Sequence, residues 1–92
     1  MDEAAIVTRL GDEAWEVCSL IDHARKALRR STGYPTRDPS AQTSLAIRHL
    51  MGRGKLGWDV GKWFLDDMSD VTALAIHRIA TGRKELVKAW LL

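Results

Sequence analysis

The side chains best suited to chemistry are bases in the second half of the chain. Arg53 and Lys55 alternate with glycines in the segment 52–57, and Arg83 and Lys84 stand near the end. Basic side chains beside flexible backbone can hold phosphate groups without reading a base sequence. We therefore expect Arg53 and Lys55 to be phosphate contacts if the chain binds a nucleic acid.

The sequence lacks the usual patterns of enzymes and metal sites. His23, His49 and His77 are far apart, and no H-E-x-x-H, Cys/His cluster or G-x-S-x-G occurs. The segment 52–57 spells G-x-G-x-x-G, but a dinucleotide site needs a preceding strand within a βαβ unit. We interpret this segment as a glycine-rich connector after a helix. We expect no enzymatic activity, no cofactor, no metal and no small-molecule substrate.

The net charge of +2 is unevenly distributed along the 92 residues. Residues 1–24 carry six acids and one base, a net charge of −5, whereas residues 25–92 carry thirteen bases and six acids, a net charge of +7. Such asymmetry can mark a portion that faces nucleic acid. Acids early and bases late in a first helix also suit the helix dipole, so both interpretations stay open.

Cysteine usage and hydropathy indicate a cytoplasmic protein. Cys18 is the only cysteine, so no disulfide forms within the chain. The N-terminus is acidic where a signal peptide needs positive charge, and no apolar run reaches the ~18–20 residues of a membrane span. The length suits one domain covering residues 1–92, and we expect no contact with membranes.

Helical spacing of apolar residues predicts an all-α bundle of four to five helices with a long N-terminal helix. That helix should run from Asp2 to Arg30, with Gly11 marking either close helix packing or a break. A loop is expected at about 31–38 and a connector at 52–57.

The middle of the chain carries clear helix boundary signals. Asp38 can cap a helix and Pro39 fits its first position. This helix should extend to about Met51, with Leu45, Ala46, His49 and Leu50 inward.

The segment 60–83 has the most regular apolar spacing in the chain. We expect one buried stripe there, formed by Val60, Trp63/Phe64, Met68, Val71, Leu74/Ala75 and Ile79. One long helix, or two helices broken at Ser69-Asp70, would satisfy this spacing. A last short helix is expected over residues 84–92.

Part of this segment resembles a known DNA-binding motif. Val71-x4-Ile76-x2-Ile79-x2-Gly82-Arg83 resembles the second half of the helix-turn-helix of lambda-repressor-like (Cro/XRE-type) regulators. There a turn valine precedes a recognition helix that ends in I-x-x-I-x-x-G-[KR]. The resemblance covers about a dozen of the 92 residues.

The resemblance implies roles for individual residues. Thr72 would cap the recognition helix and belong to the DNA-binding residues, and Arg83 and Lys84 would approach phosphates. The side chains that would face the DNA groove are Ala73, Ala75, His77 and Arg78. The first half of the motif departs from the family pattern: Asp66 replaces a small alanine, Ser69 an apolar residue and Asp70 the turn glycine.

Four tryptophans are unusual in a chain of this length. Aromatic side chains dominate cores and the centres of protein interfaces. We expect a partner surface among Trp58, Trp63 and Trp90. A protein partner, or a second copy of the chain in a homodimer, should cover it.

Two functions are consistent with these patterns. The first is a small DNA-binding transcriptional regulator of bacterial or phage type, with a helix-turn-helix-like element. The alternative is a small helical protein–protein interaction module, such as a phage-type inhibitor or adaptor of a host protein, without DNA binding. A basic face around Arg78, Arg83 and Lys84 favours DNA, whereas an exposed apolar patch favours a protein partner.

Overall fold

Helices account for all regular secondary structure in the residues that the structure describes. The computed structural model describes the backbone of residues 1–32 and 37–91 and the side chains of residues 1–31 and 37–82. A 3₁₀ turn (Gly11–Glu13) separates the first two of five α-helices. The helices are α1 (Glu3–Leu10), α2 (Ala14–Thr32), α3 (Pro39–Gly52), α4 (Trp58–Asp66) and α5 (Asp70–Leu91). The predicted all-α bundle is confirmed.

The N-terminal helical run extends from Glu3 to Thr32, close to its predicted bounds, but it is broken near Gly11. Gly11 has a φ of +57°, a left-handed conformation that glycine adopts without steric cost. No atom lies within 4 Å of the position that a Cβ would occupy there. Of the two roles expected for Gly11, the structure therefore supports the break and not close packing.

Helix α3 begins as predicted. The Asp38 carboxylate accepts a hydrogen bond from the Ser40 N–H (3.2 Å), and Pro39 occupies the first helical position. The expectation that Leu45 and His49 point inward is wrong, because both are exposed. Ala46 and Leu50 point inward as predicted, and Thr43 and Ile47 complete the inward side of α3.

The core lies around α2, which packs against both α3 and α5. Arg25 lies beside Asp70 and Leu74, whereas Asp22 contacts His77, so α2 and α5 run antiparallel. The fully buried apolar side chains come from every helix. They include Ile6, Cys18, Ile21, Ala46, Ile47 and Phe64, each with no exposed surface.

The predicted segment 60–83 is divided into two helices, α4 and α5, by residues 67–69. Helix α4 packs on α3, where buried Gly61 lies against the Met51 side chain. Helix α5 continues through Gly82 to Leu91, so the prediction of a separate short helix over 84–92 is wrong. A glycine costs only about 1 kcal/mol in a helix, which the surrounding helical residues offset.

Candidate functional site

The first turn of α5 is organised by Ser69 and Thr72. The Ser69 Oγ accepts a hydrogen bond from the Thr72 N–H (3.2 Å), so Ser69 performs the cap that was expected from Thr72. The Thr72 Oγ1 donates to the Asp67 carbonyl (2.8 Å) and accepts from the Met1 amino group (2.7 Å). Thr72 has no exposed surface. Its expected contact with DNA is therefore wrong.

The orientation of α5 differs from the predicted one. Ala73 and Ala75 are about 5% and 4% exposed, so they face the core and not a DNA groove. Val71 and Leu74, which were expected in the core, are 60% and 47% exposed. Ala75, the predicted alternative to Leu74 in the buried stripe, is buried as that alternative requires. At Val71 and Leu74 the predicted stripe is about one residue out of register, which corresponds to a rotation of ~100° about the helix axis.

Asp22 of α2 joins α5 to the basic part of α2. Its buried carboxylate accepts hydrogen bonds from His77 Nδ1 (3.0 Å) and Arg25 (3.2 Å), and it forms an ion pair with Lys26 Nζ (3.0 Å). Burial alone would raise the pKa of Asp22, but the hydrogen bonds from His77, Lys26 and Arg25 outweigh it and lower the pKa. His77, expected in a DNA groove, is held at its Nδ1 by this carboxylate and is half-exposed.

Arg78 is exposed on α5, as expected, but its surroundings are acidic. The Glu3 carboxylate of α1 lies 3.9 Å from its guanidinium group. Asp2 and Glu3 both line the hollow that Arg78 borders. A basic face was predicted around Arg78, Arg83 and Lys84. The side chains of Arg83 and Lys84 lie outside the described residues, so the structure describes only the Arg78 part of that face.

Two hollows border the exposed part of α5, one on each side of Leu74. The first, of about 340 Å³, is lined by residues from three helices, namely Arg25, Pro39, Thr43, Asp70, Ala73, Leu74 and His77. The second, of about 320 Å³, is formed with the start of α1 and is lined by Asp2, Glu3, Ala4, Val71, Leu74, Ala75 and Arg78. We call the exposed side chains Val71, Leu74 and Arg78 the α5 outer face.

The tryptophans have different environments. Trp58, the first residue of α4, is 69% exposed, as a partner contact requires. Trp63 is half-buried; its ring contacts Phe64 (4.9 Å between centroids) and lies 5.4 Å from the Arg9 guanidinium. These contacts cover Trp63, so its expected role as a partner surface is not supported. Trp90 lies outside the described side chains.

The backbone between α3 and α4 does not provide an anion-binding loop. The N–H groups of Arg53 and Lys55 donate to the carbonyls of His49 (3.1 Å) and Leu50 (2.9 Å), and Gly54 N–H donates to Met51 (3.1 Å). These amides complete the end of α3 and are not available for phosphate. The side chains of Arg53 and Lys55 are exposed, and they line a groove beside α2.

Sequence reasoning missed Asp22 as an organising residue. A signal was present, since Asp22 precedes Arg25 and Lys26 by three and four residues, the spacing of helical ion pairs. Its contact with His77 across 55 residues could not be read from local spacing. Within the described side chains, no group of three or more His, Cys, Asp or Glu residues could hold a metal ion.

Comparison with protein-family models, curated proteins and solved structures finds no match to this chain. The similarity to lambda-repressor-like regulators therefore stays a resemblance of about a dozen residues. Among the described helices, none combines the length and the apolar character needed to cross a membrane.

Proposed function

We propose that this chain is a small helical protein–protein interaction module that docks a partner on its α5 outer face. The observation that carries the proposal is the exposure of Val71 (60%) and Leu74 (47%) on one side of α5, between two hollows. Val71, Leu74 and Arg78 are spaced by three and four residues, so they form one continuous stripe of the helix.

The composition of this surface suits a protein partner. Burial of apolar surface stabilises an interface by about 25 cal/mol per Å², and hollows beside an exposed leucine can accept a partner's side chains. Charged residues stand at the edge, where interfaces are usually polar. Arg78 and Glu3 lie on one side of Leu74, and Asp70 and Arg25 lie on the other.

DNA binding is the second candidate, and one observation supports it. Helix α4, a connection of three residues and helix α5 follow one another as in a helix-turn-helix. In that case Arg78, Arg83 and Lys84 would make the contacts. Two features oppose this function. The exposed Asp66 and Asp67 would place negative charge near the DNA phosphates, and the neighbouring apolar stripe offers no groups that read bases.

Site-specific photo-crosslinking tests the proposal. A photoreactive residue at position 74 should give a discrete cross-linked protein in the native cell, whereas one at exposed Lys62 on α4 should not. The captured protein is then purified, and its affinity is measured against variants of the chain. Val71→Asp/Leu74→Asp should weaken binding by at least about tenfold, because a charge in an apolar interface is costly to desolvate.

The matched control is Leu45→Asp, which changes a similarly exposed leucine (40%) on α3. It should leave the affinity unchanged. A parallel titration with a randomised DNA pool tests the second candidate. Two results together would favour the DNA-binding regulator over the interaction module. One is the enrichment of a DNA sequence for which Arg78→Ala weakens the preference, and the other is unchanged partner affinity in the Val71→Asp/Leu74→Asp variant.

A further inference from the structure

One side of α2 is acidic at its beginning and carries accessible apolar side chains further along. Glu16, Leu20, His23 and Ala27 are spaced by four, three and four residues, so they lie on one stripe of the helix. Glu13 precedes this stripe in the 3₁₀ turn. Glu13, Glu16 and His23 are exposed, and Leu20 and Ala27 are partly exposed. The stripe therefore has an acidic beginning and an accessible apolar middle.

A groove of about 400 Å³ accompanies the later part of this stripe. It begins at Leu20 and is bounded on its other side by the end of α3 and by the connector that follows. Arg53 and Lys55 contribute positive charge to the groove, and none of its lining residues is acidic. We call Glu13, Glu16, Leu20, Ala27, Arg53 and Lys55 together the α2–α3 face.

Among the described side chains, the charged residues of this face have no ion-pair partner within one copy of the chain. None of the ion pairs formed among the described side chains involves Glu13, Glu16, Arg53 or Lys55. The dipole of α2 favours acids at its beginning, which accounts for Glu16. It accounts neither for the two bases that come from another element nor for the apolar side chains left accessible between the opposite charges.

We propose that the α2–α3 face is a dimer interface, on which a second copy of this chain docks about a two-fold axis. In an antiparallel arrangement, the acidic end of each copy meets the basic groove of the other, and the apolar middles meet each other. Two-fold pairing is self-complementary, because every contact occurs twice. A parallel arrangement would bring like charges together, which is unfavourable.

The middle of the face is suited to close approach. Ala27 is small, so a partner helix can come near the α2 backbone, while Leu20 and Leu28 provide apolar contacts on either side. Apolar contact supplies affinity, and the end charges determine the orientation. This proposal is independent of partner binding on the α5 outer face, because the two surfaces share no residue.

Analytical ultracentrifugation over a range of concentrations and salt tests the proposal. The wild-type chain should dimerise, and its dissociation constant should rise between about 0.1 M and 1 M salt, where the screening length falls from ~10 Å to ~3 Å. Arg53→Glu/Lys55→Glu and Glu13→Lys/Glu16→Lys should each raise the dissociation constant at least about tenfold, because each places like charges opposite one another.

The decisive variant combines all four reversals. It has the wild-type net charge and restores opposite charges across the two-fold axis, so it should dimerise again to within a few-fold of the wild type. Arg48→Glu/Lys62→Glu is the charge-matched control, since both residues are exposed and neither lines the groove. It should dimerise normally. Circular dichroism verifies that each variant is folded.

Two outcomes would overturn the proposal. One is a wild-type chain that stays monomeric at every concentration tested. The other is a folded four-fold variant that remains as dissociated as the double variants, because the acidic and basic ends would then not pair with each other across the interface.

Discussion

Asp22 joins α2 to α5 through a buried group of charged contacts. The Asp22 side chain is only 7% exposed. Its carboxylate contacts His77 of α5 and both Arg25 and Lys26 of α2. Removing one member of a buried charged group leaves the others without compensation. The partners of Asp22 remain partly solvated, which limits the cost of such a change.

Asp22→Asn should therefore lower the free energy of unfolding at neutral pH by about 1–3 kcal/mol. Because the native pKa of Asp22 is lowered, its contribution is complete above the ordinary aspartate pKa of about 4 and is lost as the pH falls through the native value. Urea unfolding at several pH values should show that the two proteins converge in acid. The exposed control Asp66→Asn should change stability by less than about 0.5 kcal/mol.

Cys18 offers a second test at the scale of one residue. Burial, and secondarily the negative charge of Asp22, raise the pKa of its thiol to about 12. The thiolate is the reactive form, so the native chain should resist iodoacetamide at mildly alkaline pH. Mass spectrometry should detect modification only when denaturant unfolds the chain. Rapid labelling of the folded protein would show that α2 opens locally.

At the scale of elements, the sequence predicted the helices better than their orientation. The Asp38 cap and the apolar stripe of α2 defined their elements correctly, because their signals are local. In α5 the choice of face was wrong. Alanines and Thr72 are small enough to lie inside or outside, and apolar spacing gave greater weight to Val71 and Leu74. Close packing of α5 against α2 favours the small side chains, and this constraint comes from another helix.

The contact between α3 and α4 gives a prediction about close packing. A Cβ added to Gly61 would lie 2.7 Å from Cγ of Met51, whereas Gly52 has no atom within 4 Å of its Cβ position. Alanine gains about 1 kcal/mol of helix propensity over glycine, but overpacking costs about 1–3 kcal/mol. Gly61→Ala should therefore lower the melting temperature, and Gly52→Ala should maintain or raise it. A higher melting temperature for Gly61→Ala would mean that Met51 moves aside without cost.

At the scale of the whole molecule, the two proposed surfaces lie on different sides of α2. Arg25 lines the hollow beside α5, whereas His23 lines the groove beside α3. Residues two positions apart in a helix are separated by ~200°, so these side chains point in nearly opposite directions. A dimer formed through the α2–α3 face would leave both α5 outer faces accessible and would present two partner sites.

The only sign of these two separate surfaces in the sequence was the uneven distribution of charge. The opposite net charges of residues 1–24 and 25–92 were visible, but they were consistent with a portion that faces nucleic acid and with the dipole of the first helix, and they did not indicate a second copy. Arg53 and Lys55 are distant from α2 in sequence, so only the folded chain brings them to the same groove. The expected contacts of α5 with DNA depended on helix orientation, which the short motif could not determine.

Separate surfaces should respond independently to mutation. Val71→Asp/Leu74→Asp should leave the dimer dissociation constant within about twofold of the wild type, because distant sites without shared partners are nearly additive. Sedimentation of this variant, of Arg53→Glu/Lys55→Glu and of their combination provides the comparison. The combined variant should dissociate as the groove variant does. If the Asp variant alone became monomeric, the exposed stripe of α5 would itself be the self-association surface, and the apolar side chains that we assign to a partner would be covered by a second copy.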